Sequence, residues 1–124
     1  MFSSAKKVLL YAHGGSYNHG AEAIVKCTIA QIRSENPNTF ISLSTHFPEQ
    51  DKEFSVDADK FFAPNEAFWQ AEKCAPPEHK KDLARKAYAA ALDSIASDTT
   101  LYSIGGDNFC YDNWHRIEVF QERA

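Results

Sequence analysis

The chain has 124 residues, of which 44% are hydrophobic and 24% are charged, and its formal net charge is −4 at neutral pH. These values are ordinary for a folded protein, so they exclude an intrinsically disordered chain, and the length suits one domain with one core. The charges are scattered without a basic stripe, which argues against nucleic acid as a partner. We therefore expect one globular domain over residues 1–124.

The apolar segments and the cysteines indicate the compartment. The apolar run of residues 8–12, like every other apolar run in the chain, is far shorter than the roughly 20 residues of a transmembrane helix, and no apolar signal segment follows the polar start. The cysteines are odd in number and widely spaced, so a disulfide framework is not expected. No cysteine or histidine pair has the spacing of zinc ligands. These features predict a cytoplasmic protein without a transmembrane segment or a bound metal.

The first part of the chain alternates between strand and helix patterns. Lys7–His13 is an apolar run followed by a glycine pair, which predicts a strand buried on both faces. From Gly20, apolar residues recur at three- and four-residue spacing until residues 36–37, so a helix is predicted there. Residues 39–44 are β-branched or apolar and predict a second strand.

The middle of the chain is harder to interpret because prolines interrupt the patterns of residues 46–77. A short strand at residues 59–62 and a short helix at residues 65–73 are the only elements predicted in this segment. After Pro77, apolar residues share one helical face and predict a second long helix. These residues are Leu83, Ala87, Ala91 and Ile95.

The last part of the chain predicts one more strand and one more helix. Residues 100–104 form an apolar run that a glycine pair ends abruptly, and residues 112–124 have helical spacing that is still running at the last residue. We therefore expect the chain to be truncated. Strands that alternate with helices predict an α/β fold with a parallel sheet and flanking helices.

Two glycine-rich loops follow predicted strands, and ligands of parallel α/β sheets bind beyond the carboxyl ends of the strands. The first loop precedes a helix, whose free N–H groups and dipole favour an anion. Alternatively, its glycines only form a tight turn. The loop matches neither the dinucleotide fingerprint nor the Walker loop, and the nucleophile elbow of lipases is missing. Its candidate binding residues are Gly14, Gly15, Ser16, Asn18, His19, Gly20 and Glu22.

The second loop, residues 105–112, places Asp107 directly after a buried strand. Its carboxylate can accept a proton from a sugar hydroxyl there, so Asp107 is the candidate catalytic residue. Alternatively, Asp107 bonds to loop amides, and Asp112 caps the next helix. The candidate binding residues of this loop are Gly105, Gly106 and Asn108.

Other polar side chains lie near these loops or on helices. His19 and His115 are suited to orient or protonate a ligand at neutral pH, although an isolated histidine is more often solvated. Cys27 falls in the first helix, where a small buried side chain is the ordinary explanation. Cys110 is the cysteine nearest to the presumed crevice.

Residues 15–25, with the sequence GSYNHGAEAIV, and residues 103–108, with the sequence SIGGDN, together resemble the polysaccharide pyruvyl transferase family. The resemblance covers the chain from Lys7 to its end. It implies a Rossmann-like domain that forms one half of a two-domain architecture similar to B-type glycosyltransferases, with a C-terminal domain missing. It also implies the transfer of a pyruvyl group from phosphoenolpyruvate to two sugar hydroxyls as a ketal, without a cofactor, in cell-surface polysaccharide biosynthesis.

This reaction requires an acid, a base, and positive groups that hold a carboxylate and a phosphate. On the resemblance, Asp107 is the base or orients the acceptor, and the first loop positions an anion or the acceptor. Neither loop contains an arginine, so we expect the cationic clamp for phosphoenolpyruvate and its proton donor in the missing domain. The chain alone should then be inactive. The arginines on predicted helices are Arg33, Arg85, Arg116 and Arg123.

Two other functions stay open at this point. The same two-domain architecture supports a nucleotide-sugar glycosyltransferase, because a fold alone does not decide a function. A noncatalytic binding module that docks through an exposed sheet edge is the other alternative.

Overall fold

The structure is a computed structural model that describes residues 7–104 and 114–123. Its strands form one sheet of four in the order β3-β2-β1-β4, and every neighbouring pair is parallel. This finding confirms the predicted parallel α/β sheet. The strands are β1 (Lys7–His13), β2 (Phe40–Thr45), β3 (Lys60–Phe62) and β4 (Thr99–Ser103).

Helices cover both faces of the sheet, so the fold has three layers. Val8 and Leu10 of β1 pack into a core with α1, whereas Leu9 and Tyr11 point to the other face and pack against α4, α5 and α6. A strand buried on both faces is typical of parallel sheets. Within the described residues, no helix is both long and apolar enough to span a bilayer. The helices are α1 (His19–Glu35), α2 (Pro48–Glu53), α3 (Glu66–Cys74), α4 (Pro77–Ala87), α5 (Ala89–Asp93) and α6 (Trp114–Gln121).

The buried face of helix α1 agrees with the prediction from the sequence. Val25, Ile29 and Ile32 form its buried stripe, as their spacing predicts. The expectation that Cys27 is buried is wrong, because its side chain is exposed. At about 100° per residue, Cys27 lies roughly 200° around the helix from Val25 and therefore faces solvent.

The long helix predicted after Pro77 is in fact two helices, α4 and α5. Tyr88 separates them with φ −98° and ψ 14°, and Ile95 lies beyond the end of α5. The break turns the Tyr88 side chain into the core, where its ring centroid lies 5.4 Å from that of Phe120. Tertiary packing of one aromatic side chain has therefore overridden a regular helical pattern.

Helix α2 was not predicted, because its six residues have no apolar periodicity. Pro48 stands in the first turn of this helix, where a proline has no hydrogen bond to lose and is pre-organised for helical φ. Pro48 argued against a helix in this segment when only the sequence was considered, but in the structure it begins one. Asp51 of α2 is completely buried, and it anchors the helix to the end of β1.

Candidate functional site

The carboxyl ends of β1 and β4 lie side by side. β1 has β2 on one side and β4 on the other, which makes the gap between β1 and β4 the point where the strand order reverses. The Ile104 N–H donates to the Tyr11 carbonyl at 3.0 Å, so the segment after β4 leaves the sheet beside the end of β1. Ligands of open α/β sheets bind at this kind of position.

The end of β1 is irregular. Ala12 has φ 70°, in the left-handed region, and the pairing of β1 with β2 shifts register between Leu10 and His13. A non-glycine residue in this region costs about 1–3 kcal/mol, and such strain clusters at ligand sites. Irregular pairing of this type changes the direction of the next side chain. That side chain belongs to His13, which is buried at the carboxyl end of the central strand β1.

His13 forms a buried pair with Asp51. The distance from His13 Nε2 to Asp51 Oδ1 is 2.7 Å, and their side chains are 2% and 0% exposed. The Ser16 hydroxyl donates to the same carboxylate oxygen at 2.6 Å. Burial raises the pKa of the Asp51 carboxyl, but interactions with His13, Ser16 and Thr45 outweigh burial, so this pKa lies below its usual range. The carboxylate is therefore ionised at neutral pH.

The first glycine-rich loop is packed against α2. Gly15 is buried with φ +112°, and the Tyr17 N–H donates to the Gln50 side chain at 3.2 Å. The Asn18 side chain accepts the Ala21 N–H at 3.1 Å and caps α1. These contacts use N–H groups that an anion would need. They favour the tight-turn interpretation of this loop.

The remaining predicted residues of this loop face solvent or their own helix. The His19 side chain is 86% exposed, and Glu22 pairs with Lys26 at 2.8 Å. Gly14 has open space beside it, and Gly20 lies in α1 next to the Asn18 side chain. The side chains of His19 and Glu22 therefore contact solvent, each other or Lys26.

A second group of polar and aromatic side chains surrounds His46, directly after β2. His46 Nε2 is hydrogen-bonded to the Tyr88 hydroxyl at 2.7 Å, and its ring stacks on Trp69 with centroids 4.8 Å apart. Burial, with a smaller effect of the Arg116 charge, lowers the pKa of His46 to about 4. Burial raises the pKa of Tyr88 to about 12. Both side chains are therefore neutral at physiological pH.

Arg116 of α6 reaches the same region. Its guanidinium donates to the buried Glu72 carboxylate at 2.9 Å, which joins α6 to α3. Arg116, one of the four arginines on predicted helices, lines the cavity at the carboxyl end of the sheet. Its charge is already compensated by Glu72. An anionic ligand would have to compete with that carboxylate for Arg116.

A narrow cavity of about 10 Å³ opens between these groups. This volume is about the space of a single water molecule, or of one hydroxyl group of a larger ligand. The cavity is therefore suited to hold one polar oxygen among histidine, tyrosine and arginine side chains. Its lining includes His13, Ser44, His46, Tyr88 and Arg116.

The arrangement limits the chemistry available. The Ser16 hydroxyl donates to Asp51 and not to His13, so these residues do not form the serine–histidine–aspartate relay of hydrolases. In the part of the chain that the structure describes, no three histidine, cysteine, aspartate or glutamate side chains are grouped to hold a metal ion. Proton transfer and hydrogen bonding to an uncharged ligand are the functions that these side chains support best.

The second predicted loop lies outside the described residues. Asp107, the candidate catalytic residue, and the rest of residues 105–113 are not described, and neither is the His115 side chain. No family model, curated protein or solved structure matches this chain. The other predicted residues that lie outside the described part of the chain are Gly105, Gly106, Asn108, Cys110 and Asp112.

Most of the residues that meet at the carboxyl ends of the strands were not predicted as site residues from the sequence. Ser16 alone belongs both to the predicted set and to the contacts of Asp51. One signal was present, because His13 directly precedes a glycine pair at the end of a strand. Asp51 and Arg116 had no sequence signal, since their proximity depends on how α2 and α6 pack.

Proposed function

We propose that the chain is the N-terminal, acceptor-binding domain of an enzyme that transfers a pyruvyl group from phosphoenolpyruvate to two hydroxyls of a sugar. The observation that carries this proposal is the contact between Ile104 and Tyr11 at 3.0 Å. Because of it, the two segments that resemble the polysaccharide pyruvyl transferase family leave neighbouring strands at one edge of the sheet. Segments that act on one ligand need this proximity.

The charges at this edge support an acceptor role more than a donor role. Asp51 is balanced by hydrogen bonds from His13 and Ser16, and Arg116 is paired with Glu72. Phosphoenolpyruvate carries a carboxylate and a phosphate, which require uncompensated cations. In the proposal, these cations belong to a second domain, in a two-domain architecture similar to B-type glycosyltransferases.

Aromatic side chains beside the cavity also fit a sugar. The Phe47 ring is 42% exposed, and its centroid lies 6.2 Å from that of Trp69. Sugar rings present C–H groups that pack on aromatic faces, while their hydroxyls need hydrogen-bonding partners. His46 contacts both of these aromatic rings and lines the cavity together with His13 and Tyr88, which carry the hydrogen-bonding groups.

The test is a phosphate-release assay with phosphoenolpyruvate and a panel of monosaccharides. We expect no release from the 124-residue chain, and release from the complete gene product, with whatever is encoded beyond Ala124, only when both substrates are present. Asp107→Asn should abolish this release. Asp98→Asn is the matched control, because Asp98 pairs with Lys7 at the opposite edge of the sheet.

Two outcomes would contradict the proposal. Turnover by the 124-residue chain alone would contradict the division of labour between domains. Consumption of a nucleotide sugar instead of phosphoenolpyruvate would identify glycosyl transfer and refute pyruvyl transfer.

A further inference from the structure

Three features of the structure meet at His13. The residue before it has a strained backbone, with φ 70° at Ala12, and the register of β1 shifts at this point. The His13 ring is held by a fully buried carboxylate at 2.7 Å. The same ring lines the water-sized cavity at the end of the sheet. Strain, a buried ionised partner and a cavity are together more than the packing of one histidine requires.

The contact with Asp51 determines which ring nitrogen of His13 carries the proton. An ionised carboxylate only accepts hydrogen bonds, so His13 Nε2 must be the donor at 2.7 Å. In the neutral ring, Nδ1 then keeps its lone pair. No hydrogen bond from the described residues engages Nδ1. Among residues 7–104 and 114–123, this nitrogen is therefore left as a proton acceptor.

We propose that His13 is the proton acceptor for a hydroxyl group of the ligand that enters this cavity, with Nδ1 as the accepting atom and Asp51 as the positioning residue. The cavity holds one oxygen atom, which matches one hydroxyl of a larger molecule. The identification of that molecule as a sugar rests on the proposed function. The protonation pattern of His13 does not depend on it.

The step can be written with its atoms in balance. As the hydroxyl oxygen bonds to C2 of phosphoenolpyruvate, its O–H bond breaks and the proton passes to His13 Nδ1. The C2–C3 double bond becomes a single bond, and its electron pair takes up a proton at C3. The Asp51 carboxylate stabilises the resulting imidazolium. The second hydroxyl then bonds to C2, and the phosphate leaves with the electron pair of its C–O bond. Of the two hydroxyl protons, one ends on the methylene carbon C3 and the other leaves with the phosphate.

His46 is the obvious competitor for this role, and its surroundings oppose it. Its Nε2 is already bonded to the Tyr88 hydroxyl at 2.7 Å, and its ring is stacked on Trp69. Burial lowers the pKa of His46 to about 4, which makes it a weak base. His46 therefore fits a binding and packing role beside His13.

The first experiment needs no turnover. Nitrogen-15 NMR of the histidine rings in the 124-residue chain should show a protonated Nε2 and an unprotonated Nδ1 for His13. Addition of glucose should then move the Nδ1 signal toward the protonated position. Asp98→Asn is the matched control, because it removes a carboxylate that pairs with Lys7 at the opposite end of the sheet and should leave both results unchanged. A protonated Nδ1 in the free protein, or an Nδ1 signal that glucose does not move, would overturn the proposal.

The second experiment uses the complete gene product with phosphoenolpyruvate and its sugar. Asp51→Asn should lower kcat by about a hundredfold or more, with KM almost unchanged, whereas Asp98→Asn, at the opposite end of the sheet, should change kcat by only a few-fold. Equal losses in both variants would show a structural role and overturn the proposal. An absence of turnover in the wild type would refute the pyruvyl transferase function, while the NMR result would still decide the role of His13.

Discussion

Gly15 makes the strongest stability prediction, because its backbone and its surroundings both exclude a side chain. Its φ is +112°, and a Cβ atom there would lie 2.6 Å from Gln50 Oε1 and 3.0 Å from the Phe47 ring. An alanine in this conformation costs about 1–3 kcal/mol in backbone strain. Displacing Gln50 also breaks its bond with the Tyr17 N–H, which is worth about 1 kcal/mol. Gly15→Ala should therefore lower the free energy of unfolding by about 2–4 kcal/mol.

The neighbouring glycine is a matched control. A Cβ atom on Gly14 would have no atom within 4 Å, and Gly14→Ala should change the unfolding free energy by less than about 0.5 kcal/mol. Urea denaturation of both variants measures the difference. The double variant Gly15→Ala with Gln50→Ala removes the collision and keeps the backbone strain, so it should recover only part of the loss. Equal stability of the two single variants would refute this account of the loop.

Three further predictions concern the buried ionisable groups. Burial lowers the pKa of His46 to about 4, whereas the ordinary histidine pKa is 6.5. Between these two pH values the unfolded chain binds a proton at this histidine and the folded chain does not. The free energy of unfolding should therefore fall by up to about 3 kcal/mol as pH drops through this window. His46→Gln should remove that slope in urea denaturation measured at several pH values, and an unchanged slope would contradict the burial of His46. The pKa of Asp51 lies below its ordinary value of 3.8, so the contribution of Asp51 to stability is complete above pH 3.8 and is lost as pH falls through the lowered pKa. Denaturation of Asp51→Asn should therefore show a weaker loss in this acid range than the wild type. Arg116→Met removes the cation that lies 2.9 Å from the buried Glu72 carboxylate and should cost about 2–4 kcal/mol, whereas Arg85→Met, which breaks exposed pairs, should cost less than about 1 kcal/mol. Similar costs would show that the Glu72 pair is not buried.

The sheet and the helices that cover it were largely predictable, because their signals are local. The strand Lys7–His13 is a continuous apolar run with glycines behind it, and the stripe of Val25, Ile29 and Ile32 marks the buried face of α1. Both patterns follow from the periods of strands and helices. They depend on no distant part of the chain.

The elements that were missed depend on contacts between distant residues. Helix α2 has no apolar periodicity, and its buried residue is an aspartate that is stable only because His13 and Ser16 meet it. Tyr88 breaks a regular helical pattern in order to pack against Phe120 and to bond with His46. Neither set of contacts can be predicted from local sequence patterns, because the contacting residues are far apart in the chain.

The candidate site was predictable in its location but not in its residues. The rule that ligands bind beyond the carboxyl ends of parallel strands led to the same end of the sheet at which the buried polar side chains meet. The side chains that meet there come from β1, from the residue after β2, and from α2, α4 and α6. Their convergence is a property of the folded chain. The role of Asp107 stays a prediction, because this residue lies outside the described part of the structure.

The central claim is that the edge formed by the carboxyl ends of β1 and β4 binds a sugar. Backbone amide chemical shifts of the 124-residue chain, recorded during a glucose titration, test it directly. The shift changes should concentrate at His13, His46 and Tyr88, while Lys7, Phe40 and Lys60 at the opposite edge stay unchanged. Shifts at the opposite edge alone, or no shifts at either edge, would contradict the claim.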